Sequence, residues 1–463
     1  MQVFNKFRIA VFCLILTSCG TTGVIDSRGG TQDMNMYPEE TTLTGDSYDR
    51  SLFRVGVLLP LSGKNSKIGK GLKNATLLAL DDVKNPKLVL QFYDTKSTPE
   101  GARTAIENAL NQQVSLVVGP LTKTEVHAVS DNALANNVPV IAFSTAEDVL
   151  QPGVYTLGLL VKEQVERIMS FAAQNNRHNF ALLLPDNQLG ITVSKAALRA
   201  APKTQSQIVR IAFYPPNTSN FAEILKDMTD YQRRQSAMAS KKAALKAQAQ
   251  AGNAQAKKLL AQLKSVDSTD DVDFDAVIIP EYGARLKSAI SMFGYYDIYA
   301  PKVKFLGTSI WENSPLNKES MIINSWYPKI SRYESPYFAN KYKSFYGTKP
   351  SSLYAFAYDA VALASALSNE SLDALQTALL SPEGYMGING AFRILPDGTN
   401  QHRLDIISIQ KDGDKIIDEA PKKFDEFDDF SNTESFFGAY QKPLLFGKDE
   451  ATFMQQVYGY QEN

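Results

Sequence analysis

From Phe53 onward the chain alternates short, wholly apolar runs with amphipathic stretches, in a unit of about 30 residues that repeats. Arg54-Val-Gly-Val-Leu-Leu-Pro60 is the first such run, followed by a Ser-Gly loop. Ile68, Leu72, Ala75 and Ala79 then recur at three-to-four spacing, which predicts a helix with one apolar face. Leu88–Tyr93, Val114–Val118 and Val138–Phe143 repeat the strand pattern, with helical stretches between them. Strands that are apolar on both faces must be covered on both, which predicts a parallel sheet sandwiched by helices. The alternation resumes past Tyr155, with strands at Phe180–Leu184, Ile208–Phe213, Phe274–Ile279 and Val303–Leu306. Two lobes follow, each a doubly wound, mostly parallel α/β sheet. In open sheets of this kind a ligand sits beyond the carboxyl ends of the strands, so two facing lobes place it in the cleft between them.

One stretch breaks the alternation. Residues 231–266 are rich in Ala, Gln and Lys, contain no carboxylate, and carry Arg233, Arg234, Lys241, Lys242, Lys246, Lys257, Lys258 and Lys264. Ala and Lys favour helix and Ala251-Gly-Asn253 is a turn, which predicts a basic helical hairpin projecting from the second lobe. The cations up to Lys258 are candidate partner-binding residues; the alternative is a solvated insertion without a partner. Residues 413–463 form an acidic, aromatic tail that includes Phe424-Asp-Glu-Phe-Asp-Asp-Phe430, either docked on its own body or offered to a partner.

The net charge of −1 creates no field to attract nucleic acid, and none is expected as a partner. The N-terminus sets the compartment. Lys6 and Arg8 precede an apolar run, Ile9–Leu16, that is too short to span a bilayer and reads as an export signal. Leu16-Thr17-Ser18-Cys19 resembles the lipobox of bacterial lipoproteins. That resemblance implies cleavage after residue 18, acylation of Cys19, and attachment to the lipid membrane through that residue. The other reading is an ordinary signal peptide with an incidental cysteine. Gly20, where Asp would favour inner-membrane retention, implies an outer-membrane lipoprotein with its body in the periplasm. Residues 19–51, poor in aliphatics, are expected to be a flexible tether.

Chemistry is harder to find. Gly63-Lys-Asn-Ser-Lys-Ile-Gly69-Lys70-Gly71 fails as a phosphate loop, because five residues separate the glycines and Gly71 stands where a magnesium-binding hydroxyl belongs. His127, His178 and His402 are far apart, and both cysteines, Cys13 and Cys19, precede the body, so no metal site is expected. No nucleophile elbow is present. The expectation is a protein that is not an enzyme and has no cofactor.

Four segments appear in order: Arg54–Gly63, Val117-Val-Gly-Pro-Leu-Thr122, Val138-Pro-Val-Ile-Ala-Phe-Ser-Thr145 and Tyr354–Leu363, followed by Gly387–Gly398. Together they resemble the type I periplasmic-binding-protein fold of leucine-binding proteins, over about residues 52–412. The resemblance implies a two-lobed body with lobe 1 at 52–160 and 331–385. Lobe 2 is then 161–330 and 386–412, with the helical insertion inside it. Gly119-Pro-Leu121, Phe143-Ser-Thr145, Gly153-Val-Tyr155, Gln164-Val-Glu-Arg167, Pro185-Asp186, Leu306-Gly307 and Trp311 are similar to the penicillin-binding protein activator family of lipoproteins. That likeness implies a non-catalytic regulator of a bifunctional penicillin-binding protein in peptidoglycan synthesis. The alternative is a solute-binding lipoprotein of an importer, with an unknown small ligand and with Ser62, Asp94, Thr122, Ser144, Thr145, Tyr155, Tyr282 and Trp311 lining the cleft. Gly158-Leu-Leu-Val161 occupies the region where amino-acid binders place an ammonium-binding carboxylate, which argues against a free amino acid.

Overall fold

The computed structural model describes residues 51–269, 272–313, 315–331, 336–424 and 442–459. The export signal, Cys19, nearly all of the tether and most of the acidic stretch after Phe424 lie outside the described residues.

The first lobe opens with β1 (Phe53–Leu59), α1 (Ser66–Val83), β2 (Leu88–Asp94), α2 (Pro99–Asn111), β3 (Leu116–Val118), α3 (Lys123–Ala135), β4 (Val140–Ala142) and β5 (Val154–Thr156). The second continues with α4 (Val161–Gln174), β6 (Asn179–Pro185), α5 (Gln188–Lys203), β7 (Gln207–Tyr214), α6 (Ala222–Met228), α7 (Tyr231–Gln250), α8 (Ala254–Gln262), β8 (Ala276–Ile278), α9 (Gly283–Tyr295), β9 (Lys304–Leu306) and β10 (Trp326–Ile330). The chain then passes through α10 (Tyr337–Tyr346), α11 (Ser352–Leu367), α12 (Leu372–Leu379), β11 (Tyr385–Gly387), β12 (Gly390–Ile394) and β13 (Asn400–His402). It finishes with β14 (Leu404–Gln410), β15 (Gly413–Asp418), β16 (Leu444–Phe446) and α13 (Glu450–Tyr458).

The first sheet has the order β2-β1-β3-β4-β5 and is parallel throughout. The second has the order β15-β14-β10-β9-β8-β6-β7-β16, antiparallel only at β10–β14 and β14–β15. A small antiparallel sheet joins β11, β12 and β13. The fold is therefore the expected α/β arrangement of mostly parallel sheets.

The apolar runs are buried on both faces, as their composition requires. Val55, Val57 and Leu59 of β1 pack with α1 and α11, while Leu58 faces the opposite layer with Val117 and Val140. In β6, Ala181 and Leu183 enter one layer, and Phe180, Leu182 and Leu184 the other. Each such Val, Leu or Phe side chain contributes roughly 1.5–3 kcal/mol on burial. Helix starts follow local chemistry: Thr98 accepts from Gly101 N at 3.0 Å ahead of Pro99, and Asn187 accepts from Leu189 N at 3.0 Å. The glycines that resembled a phosphate loop serve packing. A Cβ at Gly69 would collide with the Pro60 carbonyl, and one at Gly71 with the Tyr354 ring.

Two expected boundaries need correction. Residues 386–412 do not all belong with the second lobe: Phe392 and Ile394 of β12 sit in the first lobe's core, and the second sheet gains only β14. The described parts of 413–463 are not a peripheral tail. β15 extends the second sheet at one edge, β16 adds parallel to β7 at the other, and Phe453 of α13 packs on Phe213.

Asp359 of α11 is buried in the first lobe, with its carboxylate accepting from Ile388 N at 2.7 Å and Asn389 N at 3.2 Å. Burial outweighs those two bonds and raises its carboxyl from 3.8 to about 7. The folded chain keeps this proton where the unfolded chain has released it. The group's contribution is thus complete below pH about 4 and is lost as pH rises to about 7. At about 1.4 kcal/mol per unit, the span is on the order of 4 kcal/mol. Urea unfolding of wild type and Asp359→Asn at pH 5 and pH 8 checks this. The stability difference should shift toward the asparagine variant at pH 8, and a pH-independent difference would contradict the assignment.

Candidate functional site

The chain crosses between the lobes after β5, after β10 and after β13, and buried polar groups tie these crossings together. Asn400 Nδ2 donates to the carbonyls of Thr156, at 3.1 Å, and Gly158, at 2.9 Å. Glu163, one turn into α4, accepts from Leu160 N at 3.0 Å and His402 N at 2.6 Å, with His402 Nδ1 3.1 Å away. Ser331 N donates to the Arg403 carbonyl at 2.9 Å. Arg167 donates from Nε to Leu404 O at 2.9 Å and pairs with Asp418. Sequence reading did not single out Glu163, Asn400, His402 or Arg403 for this work. Their partners are far away along the chain, and no local pattern marks them.

The expected cleft-lining residues all fall in β5 or at the carboxyl ends of strands, yet most are committed to internal bonds. Asp94 accepts from Leu61 N, Ser62 N and Lys96 N at 2.9, 3.1 and 2.8 Å, and the Ser62 side chain together with these bonds holds its carboxyl below the usual range despite partial burial. It anchors the loop after β1, where Ser62 accepts through its carbonyl from Ser97 Oγ at 2.8 Å. Thr122 caps α3 in a reciprocal box with buried Glu125, which also accepts from Thr95 Oγ1 at 2.5 Å. Ser144 accepts from Ala146 N at 3.3 Å, and its carbonyl accepts from Thr156 Oγ1 at 2.8 Å. The methyl of Thr145 packs over Gly158, where a Cβ would not fit.

Two of the eight are corrected outright. Tyr155 is fully buried and its hydroxyl accepts from Gln376 Nε2 at 3.1 Å. Trp311 is 1% exposed, donates from Nε1 to Ile279 O at 3.2 Å, and lies against Gly307. Both are core residues and neither lines a cleft. Tyr282, in contrast, is 54% exposed. Its neighbour Glu281 is buried and accepts from Tyr214 Oη at 2.9 Å and Arg285 at 3.1 Å, and burial pushes the Tyr214 phenol up. Asp186, at the end of β6, pairs with Lys448 at 2.5 Å.

The basic insertion is a helical hairpin of α7 and α8, closed by Asn253, which accepts from Gln255 N at 3.0 Å. Met238 and Ala256 are buried, and Leu245, Ala249, Leu260 and Leu263 are partly covered, so the seam is narrow and made of a few methionine, leucine and alanine side chains. Lys241, Lys246, Lys257 and Lys258 are exposed, Lys242 is partly covered, and exposed Arg233 pairs with Asp230. Arg234 is the exception and a correction: it is 0% exposed and cannot meet a partner. Its guanidinium donates to Thr269 O at 2.7 Å, Tyr296 O at 2.9 Å and Ser268 Oγ at 3.0 Å, rooting α7 in the lobe. Beside that root, Tyr295 and Tyr299 are exposed. Among the described residues no helix is long and apolar enough to cross a membrane, and no cluster of three metal-binding side chains occurs.

Comparison with known proteins agrees with this architecture. A family profile described as periplasmic binding protein matches residues 53–233. The Uncharacterized protein RP748 of Rickettsia prowazekii (strain Madrid E) is 21% identical over 233 residues, covering 48% of this chain and 58% of that protein. The Penicillin-binding protein activator LpoA of Histophilus somni (strain 129Pt) is 26% identical over 193 residues, covering 41% of this chain and 32% of that protein. The match thus spans well under two thirds of the length of either relative. Among solved structures, a putative branched-chain amino acid ABC transporter from Rhodospirillum rubrum is similar with a TM-score of 0.62 at 16% identity, covering 79% of this chain and 100% of that one. An ABC transporter substrate-binding protein from Sphaerobacter thermophilus gives 0.56 at 17%, covering 81% and 99%. The body has the type I periplasmic-binding-protein-like fold of these solved structures.

Proposed function

We propose that this chain is a non-catalytic, membrane-anchored envelope protein whose periplasmic-binding-protein-like body docks on a bifunctional penicillin-binding protein and regulates peptidoglycan synthesis. The observation that carries the reading is the hairpin. A carboxylate-free pair of helices, polar nearly all round, keeps Lys241, Lys246, Lys257 and Lys258 exposed while a buried arginine fixes its root. A polar helix pair of this kind gains little from solvent exposure alone, and an anionic protein surface would give its charge a use. Exposed Tyr295 and Tyr299 at the root add the aromatic contact area typical of protein interfaces. The polar groups at the strand ends, already paired internally, offer little to clamp a charged solute. Acylation of Cys19 in the outer membrane would keep the body near cell-wall synthesis.

The second reading is a solute-binding lipoprotein of an importer, favoured by exposed Tyr282 at the end of β8 and by the ABC-transporter neighbours. Affinity capture from lightly crosslinked envelopes separates the two. Recovery of a bifunctional penicillin-binding protein, lost when residues 232–264 are deleted, supports the first. Recovery of permease subunits by both forms would replace it with the second.

A further inference from the structure

β16 covers the edge of β7 and runs parallel to it, with Leu444, Leu445 and Phe446 beside Arg210, Ile211 and Ala212. Its end therefore arrives at the carboxyl ends of β6 and β7, the side of an open α/β sheet that takes ligands. Gly447 makes the close approach. Its φ is +71°, and a Cβ there would overlap the Phe213 carbonyl. Lys448 then passes over the Phe213 ring, with Nζ 4.7 Å from the centroid, 2.5 Å from Asp186 and 2.6 Å from Gln456 Oε1. The lysine side chain is 5% exposed, whereas that of Asp186 is 44% exposed. An ammonium from a later segment of the same chain thus takes the carboxylate that stands at the ligand end of β6.

That segment is held to the body at few points. β16 is three residues long, Leu444 is exposed, and Leu445 and Phe446 are only partly covered. In α13 only Phe453 and Val457 are buried, the Phe453 ring lying 6.0 Å from Phe213. The neighbouring β6, by contrast, is buried at six of its seven positions. A segment with so few buried apolar contacts opens at a lower free energy than the core beside it. Its other polar contacts are internal and survive release as a unit: Lys442 pairs with Glu450, and Asp449 caps α13 by accepting from Thr452 N at 2.9 Å. Among the described residues, Lys448–Asp186 is the ion pair that joins the segment to the body. We infer that residues 442–459 are a releasable strap, latched by Lys448 on Asp186, that covers the β7 edge and the second lobe's ligand end together and uncovers both together. The inference holds whether the cleft serves a partner protein or a solute.

The test uses the full chain and reads hydrogen exchange by mass spectrometry in the strap, in β7 and in β6. Lys448→Met keeps an apolar stem over Phe213 and removes the charge. It should raise exchange about tenfold in 444–458 and, by the same factor, in the β7 amides that face β16, with β6 unchanged. Asp186→Asn should match it, and the double variant should go no further than either single change. Phe453→Ala loosens the strap while leaving the latch in place. It should speed the carbodiimide coupling of glycine ethyl ester to Asp186, read against an unchanged carboxylate of the first lobe. Strap exchange no faster than that of β6 in the wild type would overturn the proposal. So would multiplicative effects of the Lys448 and Asp186 changes, or a faster strap over an unchanged β7.

Discussion

Replacing Arg234 by alanine is expected to destabilise the second lobe by about 3–5 kcal/mol, because three bonds from a charged donor are lost and buried acceptors are left unsatisfied. The guanidinium satisfies the carbonyls of Thr269 and Tyr296 and the hydroxyl of Ser268, which itself donates to Asp297 at 2.7 Å. Alanine would leave those acceptors buried without a donor and remove the side chain that holds the base of α7. The loss should be visible twice: as a lower urea midpoint, and as faster hydrogen exchange through α7 and α8 than elsewhere in the lobe. Arg233→Ala makes the control, since its exposed pair with Asp230 is worth less than about 1 kcal/mol. Equal, small effects at both positions would mean that the hairpin is not rooted through Arg234.

Trp311→Ala carries a comparable expected cost, about 3–5 kcal/mol, as for other large aromatic truncations in a closed core. The indole packs against Ile279 and Gly307, just past the ends of β8 and β9, bonds the Ile279 carbonyl, and lies 6.4 Å from the Tyr327 ring between centroids. Gly307 is required beneath it, because any Cβ there would overlap the indole. A residue lining an open cleft would behave differently, with little loss of stability and a change confined to ligand binding. Thermal or urea unfolding of the purified variant distinguishes the two, and a loss below about 1 kcal/mol would return Trp311 to the cleft.

These two residues also show where sequence reading stops. The β1 run and the repeated strand-helix unit determine the parallel sheets because burial on both faces is a local, compositional property. The hairpin was legible for the same reason: helix propensity and charge are carried by its own residues. What a strand-end residue does is not local. Tyr155 and Trp311 sit where cleft residues belong, but Gln376 and Ile279 take up their polar atoms, and neither contact leaves a trace in spacing. Arg234 reads like its neighbour Arg233 until Thr269 and Tyr296 fold around it. The junction at Asn400, Glu163 and His402 joins segments more than two hundred residues apart. β16 is three residues long, too short for a period to declare itself, and only its pairing with β7 makes it a strand.

The most direct test of the regulatory reading is the polymerisation rate of a purified bifunctional penicillin-binding protein with and without this chain. The account predicts a several-fold change in rate at saturating chain, absent when residues 232–264 are deleted from a form that unfolds at the wild-type midpoint. An unchanged rate, together with a small solute retained by the chain in native mass spectrometry, would contradict it and make the inter-lobe cleft the working site.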